Sequence, residues 1–455
     1  MRRTGLTLLV ASSLLCGPSA SAATRPQYGG ALRVEMRAAP RSLDPADSSR
    51  TDGLEARNLF RLMFDTLISL DQGGRPEAAL ASSWQVEPGS QRWQFFLRHG
   101  VTFEDGTSVT PELVAASLRK VNPTWKVFSE GEAVTIERDF PAPNLAAELA
   151  LSRNCIVKRE GGKLAGTGAF VVSQWDPGKK LVLAARDEYW GGRAFLDTIA
   201  IDMGKSFREQ MISFDLGKAQ VIEVAAEQAR RATAEGRRVE SSAPLELIAL
   251  LFRSDPQSPE DGRQRQALAL SIDRELLNTV VLQGGGEPAG GLLPNWITGY
   301  GFVFPASVEL ERARQVRGEI PHTTSWTLAY DPADPTSRVI AERIALNARD
   351  AGLGIEITSA GSADLRLVRI PLISLEAQTA LGELAVALGL PQPRLASVSV
   401  DDLYGAENKL LQSERVIPLL HLRMAHGVAN TVKNWKPVRD GGWPLSEVWL
   451  APEKL

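Results

Sequence analysis

Two β-prone apolar runs, Phe170 to Trp175 and Leu181 to Ala185, lie on either side of Asp176-Pro177-Gly178. Proline presets φ and glycine accepts the positive φ of a tight loop, so the pattern predicts a β-hairpin. Around it, Gly166, Gly168, Gly191 and Gly192 mark sharp turns or close backbone approaches, and Trp175, Tyr189 and Trp190 read as large apolar anchors. Nearer the start, Gly29 to Met36 alternates apolar and polar residues as an opening strand, broken by the two prolines of the stretch Arg37 to Pro45. Leu59, Leu62, Met63 and Leu67 have helical spacing, Gln91 to Gly106 alternates as a strand and turn, and Thr110-Pro111-Glu112 caps a helix running to about Lys120.

The second half of the chain repeats this alternation of elements. Phe195 to Met203 predicts a strand, Ser206 to Leu216 a helix and Leu245 to Phe252 a further apolar strand, with helices over Arg263 to Ser271 and from Asp273. Ser325 to Tyr330, a helix started by Asp334-Pro335 and stopped by Gly352, and Leu353 to Ile357 form a βαβ unit, whose strands should be parallel with a right-handed crossover. Ligands bind beyond the carboxyl ends of such strands, which points at Tyr330-Asp331-Pro332 as cleft-facing.

The first 22 residues read differently. Met1-Arg-Arg is a basic head, Leu6 to Cys16 is an apolar run too short to span a bilayer, and Ala20-Ser21-Ala22 gives an A-x-A exit, so the pattern predicts a secretory signal cleaved after Ala22. Leu14-Leu15 precede Cys16 where a lipoprotein signal has a small residue, which favours simple export over lipid anchoring. Losing Arg2 and Arg3 takes the formal charge from −3 to −5, which disfavours nucleic acid and anionic lipid as partners. It also leaves Cys155 alone, with no internal disulfide to form and a buried, inert thiol as the expectation. A chain of roughly 430 residues exceeds what one core serves, so two or three lobes are expected.

As an ordered string, G-T-G-x-[FY], W-x-P-G and [ND]-x-Y-W-G-G, here Gly166 to Gly192, resembles the signature segment of bacterial extracellular solute-binding proteins of the oligopeptide/dipeptide/nickel class. The resemblance extends to Leu80-Ala-Ser-Ser-Trp84, Phe95 to Thr107, Arg265 to Glu275 and Val416-Ile-Pro-Leu419, and fades between about residues 370 and 413. It implies an α/β, periplasmic-binding-protein-like fold (type II, cluster C-like) of two lobes joined by a hinge, with a subdomain inserted in the first lobe. The boundaries expected are a signal peptide over 1–22, first lobe over 23–50, 161–245 and 425–455, inserted subdomain over 51–160, and second lobe over 246–424, shortened near 370–413.

The same resemblance implies a periplasmic, monomeric receptor of an ABC importer that closes on a small solute, most simply a peptide, and hands it to a membrane permease. Arg41, Ser42 and Leu43 are expected at the cleft edge, with a turn as their plain alternative, and Arg253 stands where the family often has Asn. Trp296 and Tyr300 follow the family's L-P segment and are cleft candidates, loop anchors being the alternative; Tyr330 comes from the βαβ argument above. No counterpart is found for the acidic residue with which peptide-binding members hold the ligand's amino terminus. Sugars, opines and metal chelates therefore stay open beside peptides. A diverged sensor or chaperone for a membrane partner is one alternative.

The other alternative is a secreted hydrolase built on Cys155 or on a serine near His421. The sequence has no G-x-S-x-G, H-E-x-x-H, C-x-x-C or nucleotide fingerprint and four histidines in all, so no catalytic residue, metal ligand or cofactor is expected. His421 and His426 are five apart, off a common helical face, and read as ordinary strand or loop residues.

Overall fold

A computed structural model describes residues 25–47, 53–301, 303–359, 361–395, 397, 399–436, 438–443 and 445–452; the expected signal segment and Cys16 lie outside them. Its largest sheet has eleven strands, labelled in chain order β1 (Ala31–Glu35), β2 (Phe170–Asp176), β3 (Lys180–Ala185), β4 (Thr198–Asp202), β5 (Val221–Val224), β6 (Val239–Phe252), β7 (Gly286–Pro288), β8 (Trp326–Ala329), β9 (Ile355–Thr358), β10 (Leu365–Pro371) and β11 (Val416–Val428). The spatial order is β2-β3-β4-β1-β5-β11-β6-β10-β8-β9, with β7 also paired to β11. One half, β2 to β5, thus meets the other, β10-β8-β9, through two long strands, β11 and β6. These run antiparallel, and their register shifts at Ser241/Pro244, at Pro244/Glu246 and again at Ile248/Ala249. Pro244 has no N–H for the ladder, so an interruption there is the expected outcome.

The hairpin forms as the pattern predicts, β2 against β3, with Gly178 at φ +74° in the turn. The βαβ unit does too: β8 and β9 are parallel, Trp326 opposite Ile355, across the helix Ser337–Asp350. Along β6, Ile248, Leu250 and Phe252 enter one apolar core while Leu247, Ala249 and Leu251 enter another. A strand buried on both faces has no polar side to show, which is why it reads as one continuous apolar run.

The half of the sheet containing β1 has its own core, with Leu32, Val34, Phe170, Leu183, Ile199, Trp435 and Trp443. A separate four-stranded antiparallel sheet (81–86, 92–97, 133–137, 126–130 in spatial order) packs with the helix Pro111–Val121 around Phe95, Phe103, Leu118 and Ile136. The apolar residues of that core run from Leu67 to Ile156. The helix α1 (Leu54–Met63) instead gives Leu59, Phe60, Leu62 and Met63 to the core beneath β1 and Leu54 to the core beneath β6.

The G-T-G signature is a clip on the end of α1. A Cβ on Gly166 would stand 2.0 Å from the Met63 carbonyl oxygen, and one on Gly168 would stand 2.4 Å from the Met63 carbonyl carbon, so the backbones touch where only glycine fits. Just beyond α1, Asp65 accepts hydrogen bonds from Thr167 Oγ1 (2.9 Å), Trp190 Nε1 (2.8 Å) and Tyr189 Oη (3.1 Å). Burial pushes this carboxyl up despite those bonds and Arg186 nearby, and burial beside Asp65 pushes the Tyr189 phenol up as well.

Candidate functional site

A cavity of roughly 980 Å³ opens between the two halves of the sheet. The β1 half contributes Arg37, just past β1, with Phe207 and Glu223 of β5; Arg423 and His426 come from β11. Facing them are Glu246 of β6, Arg366 and Arg369 of β10, and Asp331 and Asp334 in the loop after β8. Arg153 from the small four-stranded unit and Glu383 from the helix α2 (Ala377–Ala387) complete the rim.

Charge in this cavity is partly committed and partly open. Arg369 donates to Glu246 Oε2 (Nε, 3.0 Å) and to Asp334 Oδ2 (Nη1, 2.7 Å), tying β10 to β6 and to the loop after β8. Burial would lower the Arg369 guanidinium, but the two carboxylates outweigh it and hold it firmly charged; burial likewise works against Asp334, which Arg369 keeps below the ordinary carboxylate range. Arg423 pairs with Glu287. Arg37 stacks 4.5 Å over the Phe207 ring, and neither it nor Arg366 has an ion pair among the described residues. The exposed Asp331 carboxylate accepts the local Ala333 N–H, at 2.9 Å, and has no ion pair among the described residues.

The rim is bridged. Arg153 makes a two-pronged ion pair with Glu383 at 2.7 and 2.5 Å, and Asn144 Nδ2 donates to Thr379 Oγ1 at 3.1 Å, both joining the small unit to α2. The turn at Gly74 (φ +80°) lies against the Leu375 backbone, where a Cβ would stand 2.3 Å from the carbonyl oxygen.

The sequence-derived candidates fall elsewhere. Arg41, Ser42 and Leu43 do not line the cavity: Leu43 is buried in the core beneath β1, and the loop lies on the hairpin turn, Pro40 accepting from Gly178 N at 2.9 Å. Trp296 and Tyr300 pack against the core beneath β6. The Trp296 indole donates to the Pro244 carbonyl at 3.1 Å, bracing the interruption in β6, and Tyr300 Oη donates to buried Glu407 at 2.9 Å. Tyr330 packs on the βαβ core, and it is Asp331 beside it that reaches the cavity. Arg253 lines a second hollow of roughly 640 Å³, with Arg415 and Arg366, the last shared with the main cavity.

Sequence reasoning missed Arg37, Glu223, Arg369 and His426. Glu223, Arg369 and His426 lie on strands of the main sheet and Arg37 follows one, and a charged or polar residue interrupting an apolar strand run was the usable signal. Cys155 is buried in the core beneath β1, and the His421 ring lies buried with Nε2 donating to the Leu292 carbonyl at 3.0 Å, so neither offers a reactive group to the cavity.

Four likenesses to known proteins bear on this arrangement. The family model for "Bacterial extracellular solute-binding proteins, family 5 Middle" matches residues 75–369. The probable D,D-dipeptide-binding periplasmic protein DdpA of Escherichia coli is 23% identical over 369 residues, covering 74% of this chain and 71% of that protein. Among solved structures, NikA from Staphylococcus aureus in complex with Ni(L-His)2 superposes with TM-score 0.77 at 16% identity, covering 92% of this chain and 100% of that one. The oligopeptide-binding protein AppA from Bacillus subtilis, in complex with a nonapeptide, does so with TM-score 0.77 at 16% identity, covering 94% and 100%. The fold is that of the type II periplasmic binding proteins, an α/β architecture.

Proposed function

Because this chain belongs to the bacterial extracellular solute-binding proteins of family 5, we propose that it is the receptor of an ABC importer, capturing a small solute, a peptide or similar, and presenting it to a membrane permease. The observation that carries the reading is the cavity between two sheet halves that β6 and β11 join, with charged groups reaching it from both walls. Two bodies on a narrow strand connection move by hinge bending, and a solute that touches both walls stabilises the closed form. The break in ladder register at Pro244 is the hinge.

The first lobe comprises residues 25–47, α1, 161–245 and 425–452 and the second 246–424; with α1 in the first lobe, the inserted subdomain begins near residue 66 rather than 51. Members of this family are binding proteins rather than enzymes, and this chain releases its solute unchanged. It acts in the periplasm, where relatives such as DdpA are placed by name, after cleavage behind Ala22.

Native mass spectrometry of the protein purified from its own periplasm tests the reading: a bound solute of defined mass, lost on unfolding, is the expected result, with an intact mass beginning at Ala23. Protein that carries nothing, and that no peptide, sugar, opine or metal chelate stabilises in a thermal-shift screen, would sink it.

A further inference from the structure

His426 stands on β11, directly opposite Glu223 of β5 and Glu240 of β6, and only 6% of it is exposed. Trp443 Nε1 lies 3.3 Å from its Nε2. An indole N–H donates and cannot accept, so His426 Nε2 must be the acceptor and the ring's single proton must sit on Nδ1. Burial lowers the imidazole to about 4, which keeps it in that neutral form.

The Nδ1–H has no partner among the described residues, yet it is not one of the polar atoms sealed from solvent, and the ring lines the main cavity. Glu223 lies across the ladder, but no hydrogen bond joins it to His426 among the described residues; its Oε2 accepts instead from the Arg37 N–H at 2.6 Å and from Gln210 Nε2 at 3.3 Å. His421, five residues earlier on the same strand, carries its proton on the other nitrogen and spends it on the Leu292 carbonyl. One buried histidine is thus fully used by the fold and the other keeps a donor in hand at the cleft.

We propose that His426 is a solute-binding residue, a neutral imidazole held in register by Trp443 that donates Nδ1–H to a peptide oxygen of the captured solute, from the same wall as Arg37. This deepens the receptor reading and rests on it. The fixed tautomer also decides against metal coordination by this ring, since Nε2 is engaged by the indole and Nδ1 bears the proton. Trp443 acts as a positioning residue, setting which nitrogen is free.

The test combines histidine 15N NMR with calorimetric titration of the full chain, using alanine di-, tri- and tetrapeptides and their C-terminal amides as probes. The expected spectrum shows the Nδ1–H tautomer for one histidine, and Trp443→Phe moves that ring to the Nε2–H form. His426→Phe should weaken the best alanine probe roughly five- to tenfold, the weight of one neutral hydrogen bond. His426→Asn, whose amide nitrogen falls near the Nδ1 position, should restore most of it, and His426→Gln should not.

Equal binding of acid and amide identifies a backbone carbonyl as the acceptor, and a weaker amide identifies the terminal carboxylate; both support the proposal. An Nε2–H tautomer in the wild type, undiminished binding in a folded His426→Phe protein, or no binding of any alanine probe overturns it. In the last case a different solute found by native mass spectrometry leaves the receptor reading standing.

Discussion

Asp65 gathers Thr167, Tyr189 and Trp190 onto one sealed carboxylate at the end of α1. Removing it orphans three donors at once, one buried and two half-buried, so Asp65→Ala should cost about 3 kcal/mol in urea unfolding, well beyond Tyr189→Phe at about 1 kcal/mol. A cost under 1 kcal/mol for Asp65→Ala would contradict the clip. Asp440 is the opposite electrostatic case. Burial would raise it, yet Arg57 and Arg61, the latter at 2.5 Å, hold it well below the ordinary carboxylate range. Its folded pKa is depressed, so its contribution to stability is complete above the unfolded value of about 3.9 and is lost as pH falls below it. Unfolding free energy measured from pH 6 to pH 2 should show that loss, and Asp440→Asn should flatten it while costing about 3 kcal/mol at neutral pH. At this scale the sequence is half legible. Gly166, Gly168, Tyr189 and Trp190 announce a turn with anchors, but nothing local names a partner 102 residues away. His426 carries no spacing signal at all, because what sets its chemistry is an indole from a different stretch of chain.

Whole elements were easier to see. The hairpin and the βαβ unit follow from period and turn chemistry alone, and β6 follows from an apolar run, because in each the local pattern and the buried faces agree. What escaped was placement: α1 has the spacing of any amphipathic helix, and only packing shows that it serves the cores beneath β1 and β6. Trp296, a candidate for the cleft with a loop anchor as its alternative, braces the Pro244 carbonyl, and an aromatic after a turn looks the same in either role. Between elements, the Arg153–Glu383 pair joins the inserted unit to α2 across the rim. With both side chains partly exposed, it should contribute about 0.5–1 kcal/mol of coupling to closure. A double-mutant cycle of Arg153→Ala and Glu383→Ala, read as the affinity for whichever solute the protein carries, should return that coupling; additive effects would mean that the pair does not bear on closure.

For the whole molecule, closure predicts that a solute at 100 times its Kd adds about 2.7 kcal/mol of stability. Small-angle scattering should show the radius of gyration fall on binding, whereas an unchanged radius with full occupancy would argue against a moving hinge. The overall architecture was legible because several short motifs recur in a fixed order, while the cavity's occupant was not, because recognition is assembled from strand ends far apart in the chain.

The strands β6 and β11 carry a last consequence. β11 pairs with β5 of the first half, β6 pairs with β10 of the second, and the two pair with each other, so neither half can melt without stripping partners from its neighbour. Calorimetry should accordingly record a single heat-absorption peak, and the amide protons of β6 beyond Pro244, Leu247 to Leu251, where β10 and β11 flank it on both sides, should be among the last in the protein to exchange with deuterium.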